Sequence, residues 1–311
     1  MVDLILFGDC KEPLKQFPRG SAQMCVTSPP YYGLRDYGGE ANQIGQEETP
    51  EEFVNNLVEV FREVRDVLKD DGVLWLNIGD SYYNYRPGTG GLPKQTVSRT
   101  SQDLPTQCNR RANKLDGLKE KDLIGIPWML AFALRADGWY LRQDIIWHKP
   151  NPMPESVKDR CTKSHEYIFL LSKNKKYYYD NEAIKEPVKQ DWGTRNRDAG
   201  KYHNPGTGLQ PHSGLTKSYE RKNKRDVWSI TNKPYKGAHF ACFPPDLIEP
   251  CILAGSRKGD VILDPFMGSG TTAMVAKQHD RSYIGCELHE DYGSLIQKRL
   301  KAIPTKLPFD M

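Results

Sequence analysis

Two groups of residues, far apart in a chain of 311, have the types and spacing to do chemistry. The later group is Asp264-Pro265-Phe266-Met267-Gly268-Ser269-Gly270-Thr271-Thr272. Glycines let backbone N–H groups approach a ligand closely, and a helix beginning at such a loop favours polar or charged ligand groups. The apolar run Val261 to Leu263 leads into the loop, and a second run, Ser282 to Cys286, ends at Glu287. Glu287 follows Gly268 by roughly twenty residues, a spacing that suits a carboxylate accepting hydrogen bonds from the ribose hydroxyls of a nucleoside. The loop carries no lysine, so it is not a phosphate-gripping P-loop.

The earlier group is Thr27-Ser28-Pro29-Pro30-Tyr31, at the end of the strand-like run Gln23 to Thr27. Two consecutive prolines continue neither a ladder nor a helix, so the backbone there is stiff and extended. A hydroxyl, fixed carbonyls and an adjoining ring make a holder for a flat ring that bears an amino group.

The elements that must position these groups read from periodicity. Asp3 to Phe7 reads as a strand running into Gly8-Asp9, and Lys11 to Phe17 as a short helix. Thr49, Pro50 and Glu52 form a capping box with proline at the first helical position. Phe53, Leu57, Val60, Val64 and Leu68 then recur at helical spacing, with Gly72 expected to end the helix and Val73 to Ile78 to form a strand before Gly79-Asp80. Further expectations are a helix from Asp122 to Ala136, strands from Tyr140 to Trp147 and His165 to Leu171, and helices from Asp246 to Ala254 and Asp291 to Leu300. Alternating strands and helices predict an α/β fold with a doubly wound, mostly parallel, Rossmann-like sheet. Residues 85–117 are rich in Gly, Ser, Thr, Asn and Arg without an apolar period and read as a long mobile loop, in which Arg86, Arg99, Arg110 and Arg111 could grip phosphates.

Bulk properties narrow the class. The chain is long enough for one large domain with an inserted lobe. A net charge of +4 permits a polyanionic partner without demanding one. No apolar run is long enough for a membrane helix, and the first ten residues do not read as a signal peptide. The seven cysteines are scattered, with no Cys-x-x-Cys pair and no Cys/His cluster, so neither a disulfide framework nor a metal site is expected and a reducing cytoplasm is the natural home.

Val26-Thr27-Ser28-Pro29-Pro30-Tyr31 resembles the catalytic motif of amino-group DNA methyltransferases, in the form typical of the cytosine-N4 branch. Asp264-Pro265-Phe266-x-Gly268-x-Gly270 resembles their S-adenosylmethionine motif. The catalytic motif comes first, which matches the permuted beta arrangement of that family, and the resemblance spans nearly the whole chain. It implies a circularly permuted class I methyltransferase fold: residues 1–184 as the catalytic half, 185–236 as an inserted target-recognition region and 237–311 as the cofactor half.

The same resemblance implies roles. Ser28, Pro29, Pro30 and Tyr31 would hold an extruded base, with Asp80 orienting the serine hydroxyl. Asp264, Pro265, Phe266, Gly268, Gly270, Thr271 and Glu287 would hold S-adenosyl-L-methionine, with Asp9 facing its adenine end and His239 and Phe243 closing over its methionine end. The segment from Trp147 to His165-Glu166 lines the flipped-base pocket in relatives, with a structural role expected for His165. Arg195, Arg197, Arg221, Lys222, Lys224 and Arg225, interleaved with aromatics such as Trp192 and Tyr219, would face DNA. Implied partners are double-stranded DNA and a cognate restriction endonuclease, for a monomer or homodimer, prokaryotic or phage-encoded, in the cytoplasm and associated with the nucleoid.

Three other readings stay open at this point. Ser28 favours cytosine N4, and adenine N6 is the alternative. The Pro-Pro-Tyr holder also serves other planar amines and amides, which admits RNA or a protein side chain as substrate. A DNA-binding protein that keeps the fold without turnover is the third, and intact motifs at both ends argue against it. Ring-carbon methylation would need a cysteine nucleophile at a strand end, whereas Pro250-Cys251 lies within an apolar helix pattern.

Overall fold

The computed structural model describes residues 3–36, 43–84, 106–107, 114–188, 220–232 and 243–303. His239, Arg195, Arg197 and the arginines of the expected mobile loop lie outside these residues. In chain order the elements are β1 (Leu4–Phe7), α1 (Lys11–Gln16), β2 (Ala22–Thr27), β3 (Arg35–Asp36), α2 (Pro50–Val67), β4 (Leu68–Ile78), β5 (Thr106–Gln107), α3 (Ile126–Ala136) and β6 (Tyr140–His148). There follow β7 (His165–Ser172), β8 (Glu186–Pro187), β9 (Arg221–Lys222), β10 (Val227–Ser229), α4 (Pro245–Gly255), β11 (Val261–Asp264), α5 (Thr271–Gln278), β12 (Ser282–Glu287) and α6 (Tyr292–Lys301).

Eight strands form one sheet in the order β1-β12-β11-β2-β4-β7-β6-β10. All neighbours are parallel except β7, which runs against both β4 and β6. The first strand of the chain pairs with the last, Leu4 opposite Ile284 and Phe7 opposite Glu287. A sheet needs its strands adjacent in space, not in sequence, so the permuted order costs the fold nothing. Two small antiparallel pairs, β3 with β5 and β8 with β9, lie outside this sheet.

Connections diverge between β11 and β2. From β11 the chain passes through α5 to β12 on one side; from β2 it passes through α2 to β4 on the other. Ligands of doubly wound sheets bind outside the carboxyl ends of the strands at such a switch point. Alternation of side chains along the buried strands divides the core in two. Cys25, Leu74, Leu76 and Phe169 pack with Leu14 of α1, Phe53, Leu57 and Phe61 of α2, and Leu130 of α3. Met24, Val26, Val73 and Trp75 pack with Leu247 and Ile252 of α4, Val275 of α5 and Ile296 of α6. Each such side chain, fully buried, contributes about 1.5–3 kcal/mol. Gly255 stands where a Cβ would come within 2.8 Å of the Met24 sulfur, so α4 lies close against β2.

The capping box forms as expected: the Thr49 side chain accepts from Glu52 N, and the Glu52 side chain accepts from Thr49 N. Two boundaries differ from expectation. Helix α2 ends at Val67 rather than Gly72, and Leu68 already pairs with Ala22 across a register shift in the β2–β4 ladder. Helix α3 starts at Ile126 rather than Asp122, because Leu123 bridges to Tyr82 and Gly125 takes a left-handed φ of 88°. Part of the expected insert belongs to the main sheet, since Val227–Ser229 pair with Ile146–His148 of β6. Among the described residues no helix is long and apolar enough to cross a membrane.

Candidate active site

The two motifs meet at the switch point. Asp264, last in β11, is 1% exposed, and its carboxylate accepts from the hydroxyls of Thr27 and Thr272, each at 2.6 Å, and from Phe266 N at 3.0 Å. Thr27 is the last residue of β2, directly before Ser28. Asp264, expected against a cofactor, ties the strand end of one motif to the loop of the other. Burial pushes its carboxyl up to about 6, and the hydrogen bonds from Thr27 and Thr272 pull the other way. Pro265 is buried, and Phe266 is half-buried beside the α2 core.

The glycine loop follows. Gly268 and Gly270 have φ of 54° and 79°, in the left-handed region that favours glycine. Gly268 N donates to Glu287 Oε2 at 2.7 Å, and His289 N donates to Oε1 at 3.1 Å. Glu287 is buried at the end of β12, and burial pushes its carboxyl up to about 7. Beside it, Gly8 N donates to Glu287 O at 2.8 Å, which brings Asp9 to the same rim. The Asp9 carboxylate accepts from Lys11 N at 3.0 Å and so also caps α1. The Thr271 hydroxyl accepts from Arg299 of α6 at 2.5 Å, and the same guanidinium nitrogen donates to Ser269 Oγ at 2.7 Å. Arg299 braces the loop from behind, a role its sequence context did not reveal. Phe243, at the start of the described segment before α4, packs half-buried on the other core.

Ser28-Pro29-Pro30-Tyr31 extends from the end of β2, with Pro29 buried and Ser28, Pro30 and Tyr31 half-buried. Two glycines make room for this segment. A Cβ on Gly45, whose φ is 103°, would lie 3.2 Å from Tyr31 O, and one on Gly79 would lie 2.6 Å from Tyr31 Cε2. The Tyr31 ring therefore lies against the backbone just beyond β4. Its hydroxyl reaches Glu166 Oε2 at 2.7 Å and Asn77 Oδ1 at 3.3 Å. Glu166 ends the segment expected along the base pocket, but the sequence assigns it no individual role. It arrives because β7 is antiparallel, so β7 begins where β4 and β6 end.

Asp80 departs from its expected role. Its carboxylate accepts from Ser81 N, Gly125 N and Ile126 N, at 2.9 to 3.1 Å, and caps the start of α3. Among the described residues no hydrogen bond joins it to Ser28. Burial raises its carboxyl above the ordinary range, with the Lys163 charge acting against that. Four of the expected DNA-facing residues are described. Arg221 donates to Lys185 O at 2.8 Å, Arg225 and Lys222 pair with Glu186 at 2.6 and 3.6 Å, and Lys224 lies 4.9 Å from the Trp228 ring. They are partly spent on holding the β8–β9 stem. Cys251 is buried in α4 and its thiol is raised by that burial, which does not suit a nucleophile.

Residues 22–298 match the sequence profile of the N6/N4 DNA methylase family. The chain belongs to that family. It is 46% identical over 300 residues to a Type II methyltransferase, M.Cfr9I, of Citrobacter freundii, covering 96% of this chain and 88% of the relative. It is 48% identical over 301 residues to M.SmaI of Serratia marcescens, also a Type II methyltransferase, covering 95% and 90%. Among solved structures, the cytosine-N4-specific PvuII DNA methyltransferase aligns with a TM-score of 0.63 at 18% identity, over 100% of this chain and 89% of that one. A candidate DNA modification methylase from Thermus thermophilus, solved with S-adenosyl-L-methionine, aligns at 0.61 and 23% identity, over 98% and 96%. These last two likenesses speak for the fold.

The DNA methylase family uses S-adenosylmethionine as methyl donor, and the residues at the switch point fit it. Buried Glu287 and rim-lying Asp9 offer carboxylate oxygens of the kind that suit a nucleoside's hydroxyls and amine. The left-handed Gly268 and Gly270 keep the loop free of side chains, and half-buried Phe266 and Phe243 offer apolar surface.

Proposed function

We propose that this chain is a Type II DNA methyltransferase that transfers a methyl group to the exocyclic N4 amino group of cytosine in double-stranded DNA. The observation that carries the reading is the Thr27–Asp264 hydrogen bond, which puts the Ser28–Tyr31 holder beside the cofactor loop. Serine at position 28 favours cytosine N4 over adenine N6, and membership of a DNA methylase family favours DNA over RNA or protein as substrate.

An amino group inside a duplex is stacked and paired, so the target nucleotide must be extruded. Tyr31 offers its ring as a shelf for the base. Ser28 Oγ and Pro29 O accept hydrogen bonds from the amino group. Its lone pair is otherwise conjugated into the ring, and two acceptors on the protons favour a tetrahedral nitrogen with that pair exposed. Bound S-adenosylmethionine supplies a methyl group on a sulfonium, and Glu287, Asp9 and the glycine loop would hold it in line with the nitrogen. Holding both reactants in an aligned geometry can provide about 7–11 kcal/mol of the barrier. Asp264 and Thr272 keep the two halves in register, and Asp80 fixes α3. Arg221, Lys222, Lys224 and Arg225, with Arg195 and Arg197 from the segment between, are the proposed phosphate contacts, and a restriction endonuclease of the same site is the proposed partner.

The test is to methylate DNA with the purified enzyme, digest it and identify the modified nucleoside. N4-methylcytosine is expected. N6-methyladenine as the sole product would overturn the base assignment.

A further inference from the structure

The side chains around Tyr31 form a connected set that the motif does not contain. Glu166 presents its two oxygens in different directions: Oε2 accepts from the Tyr31 hydroxyl at 2.7 Å, and Oε1 pairs with Lys149 Nζ. The Lys149 ammonium also lies 4.2 Å from the centre of the Trp147 ring. Asn77 completes the set, accepting from the same hydroxyl and donating to Tyr167 O at 3.1 Å and to Glu166 Oε2 at 3.4 Å. Side chains of Lys149 and Glu166 are only 17% and 15% exposed. A pair so far withdrawn from water loses hydration that its own attraction roughly repays, so stability alone does not explain it. What the pair does provide is a fixed acceptor at the far end of the phenol.

We propose that Glu166, held by Lys149, is a positioning residue for methyl transfer: it fixes the place of the Tyr31 ring on which the target base is to stack. Two contacts support this. Gly79 lies along one edge, where a Cβ would collide with Cε2, so the ring sits close against the backbone, and Glu166 holds the hydroxyl at its far end. With the hydroxyl tied, the ring cannot swing about its Cα–Cβ bond. A ring free to swing would carry the stacked base with it, and the amino group would drift from Ser28 and Pro29. The strand pairing makes the arrangement rigid, because Glu166 sits opposite Trp147 in the β6–β7 ladder and Asn77 opposite Ile168 in the β4–β7 ladder. This inference rests on the reading of Tyr31 as the base shelf.

The experiment is a double-mutant cycle on the full-length enzyme with Glu166→Ala, Tyr31→Phe and the two combined, measuring kcat on cognate DNA and KM for S-adenosylmethionine. Each single change is expected to lower kcat by about ten- to a hundred-fold, to leave the cofactor KM within about two-fold, and the double to be no slower than the slower single. Glu166→Gln, which keeps an acceptor for the phenol, should recover most of the lost rate. Effects that multiply in the double variant, or an unchanged kcat in Glu166→Ala, would overturn the proposal. Should Glu166→Ala lose its cooperative thermal transition, the cycle is run with Glu166→Leu, close in volume and without an acceptor. Failure of both to fold would mean a purely structural pair and would also overturn it. All rates are relative to the wild type on whichever base it methylates. A product other than N4-methylcytosine therefore removes the base assignment alone, whereas independence of Glu166 and Tyr31 removes this proposal alone.

Discussion

The hydroxyl of Thr27 and the carboxylate of Asp264 meet at 2.6 Å although 237 positions separate them in the chain. One residue ends the strand that delivers the base holder; the other ends the strand that delivers the glycine loop. Replacing Thr27 by Val keeps the shape and removes the donor, leaving one oxygen of a buried carboxylate poorly satisfied. The expected loss is about 1–3 kcal/mol of stability by denaturant unfolding, together with reduced kcat, while Thr27→Ser should stay close to wild type.

Gly79→Ala tests whether the Tyr31 ring position matters. The added Cβ would lie 2.6 Å from Cε2 of a ring also held at its hydroxyl. The ring must tilt, at a cost of about 1–3 kcal/mol. Steady-state kinetics should show kcat falling by about tenfold or more, because the shelf moves with respect to Ser28.

Glu287 predicts opposite pH trends for folding and for cofactor binding. Its carboxyl stands at about 7 in the fold against an ordinary 4.5. Between those values the folded protein binds more protons than the unfolded chain, so stability is greatest below the lower value and is lost as pH rises through the upper. Asp264, at about 6, adds to the same slope, so wild type and Glu287→Gln must be compared across the window. The unliganded variant should lose less stability over it. If the ionised Glu287 accepts ribose hydroxyls as proposed, wild-type affinity for S-adenosylmethionine by calorimetry should weaken by up to about tenfold per pH unit below 7. The variant should bind weakly with a flatter dependence.

Arg225 pairs with Glu186 yet keeps 63% of its side chain exposed. If it meets a phosphate, Arg225→Ala should weaken binding to all DNA sequences alike and lower the salt slope of the logarithmic affinity by about one. Fluorescence anisotropy at several salt concentrations measures both.

Much of this fold was legible because its signals are local. The Thr49–Glu52 box, the apolar stripe from Phe53 to Val64 and the strand before Ser28-Pro29-Pro30 each declare themselves within a few residues. The site was legible where motif residues act near their own positions, as Glu287 and Gly268 do. What escaped depends on pairing between distant segments. Nothing around Glu166 tells that β7 runs antiparallel and so starts at the site. Asp80 follows β4, the strand paired with the one that leads into Ser28, but the N–H groups that claim it come from the start of α3. Arg299 lies in a helix whose basic residues otherwise read as solvent-facing, and only packing shows it gripping Ser269 and Thr271.

The β8–β9 stem closes on itself, with Val188 N donating to Glu220 O at 3.0 Å. Whatever the chain does between those two residues, it departs from and returns to a single clasp at the margin of the sheet. If that stretch reads DNA sequence, as its place in the family pattern implies, then exchanging it between Val188 and Glu220 is a graft at one point, with the described strands of the sheet left outside the exchange.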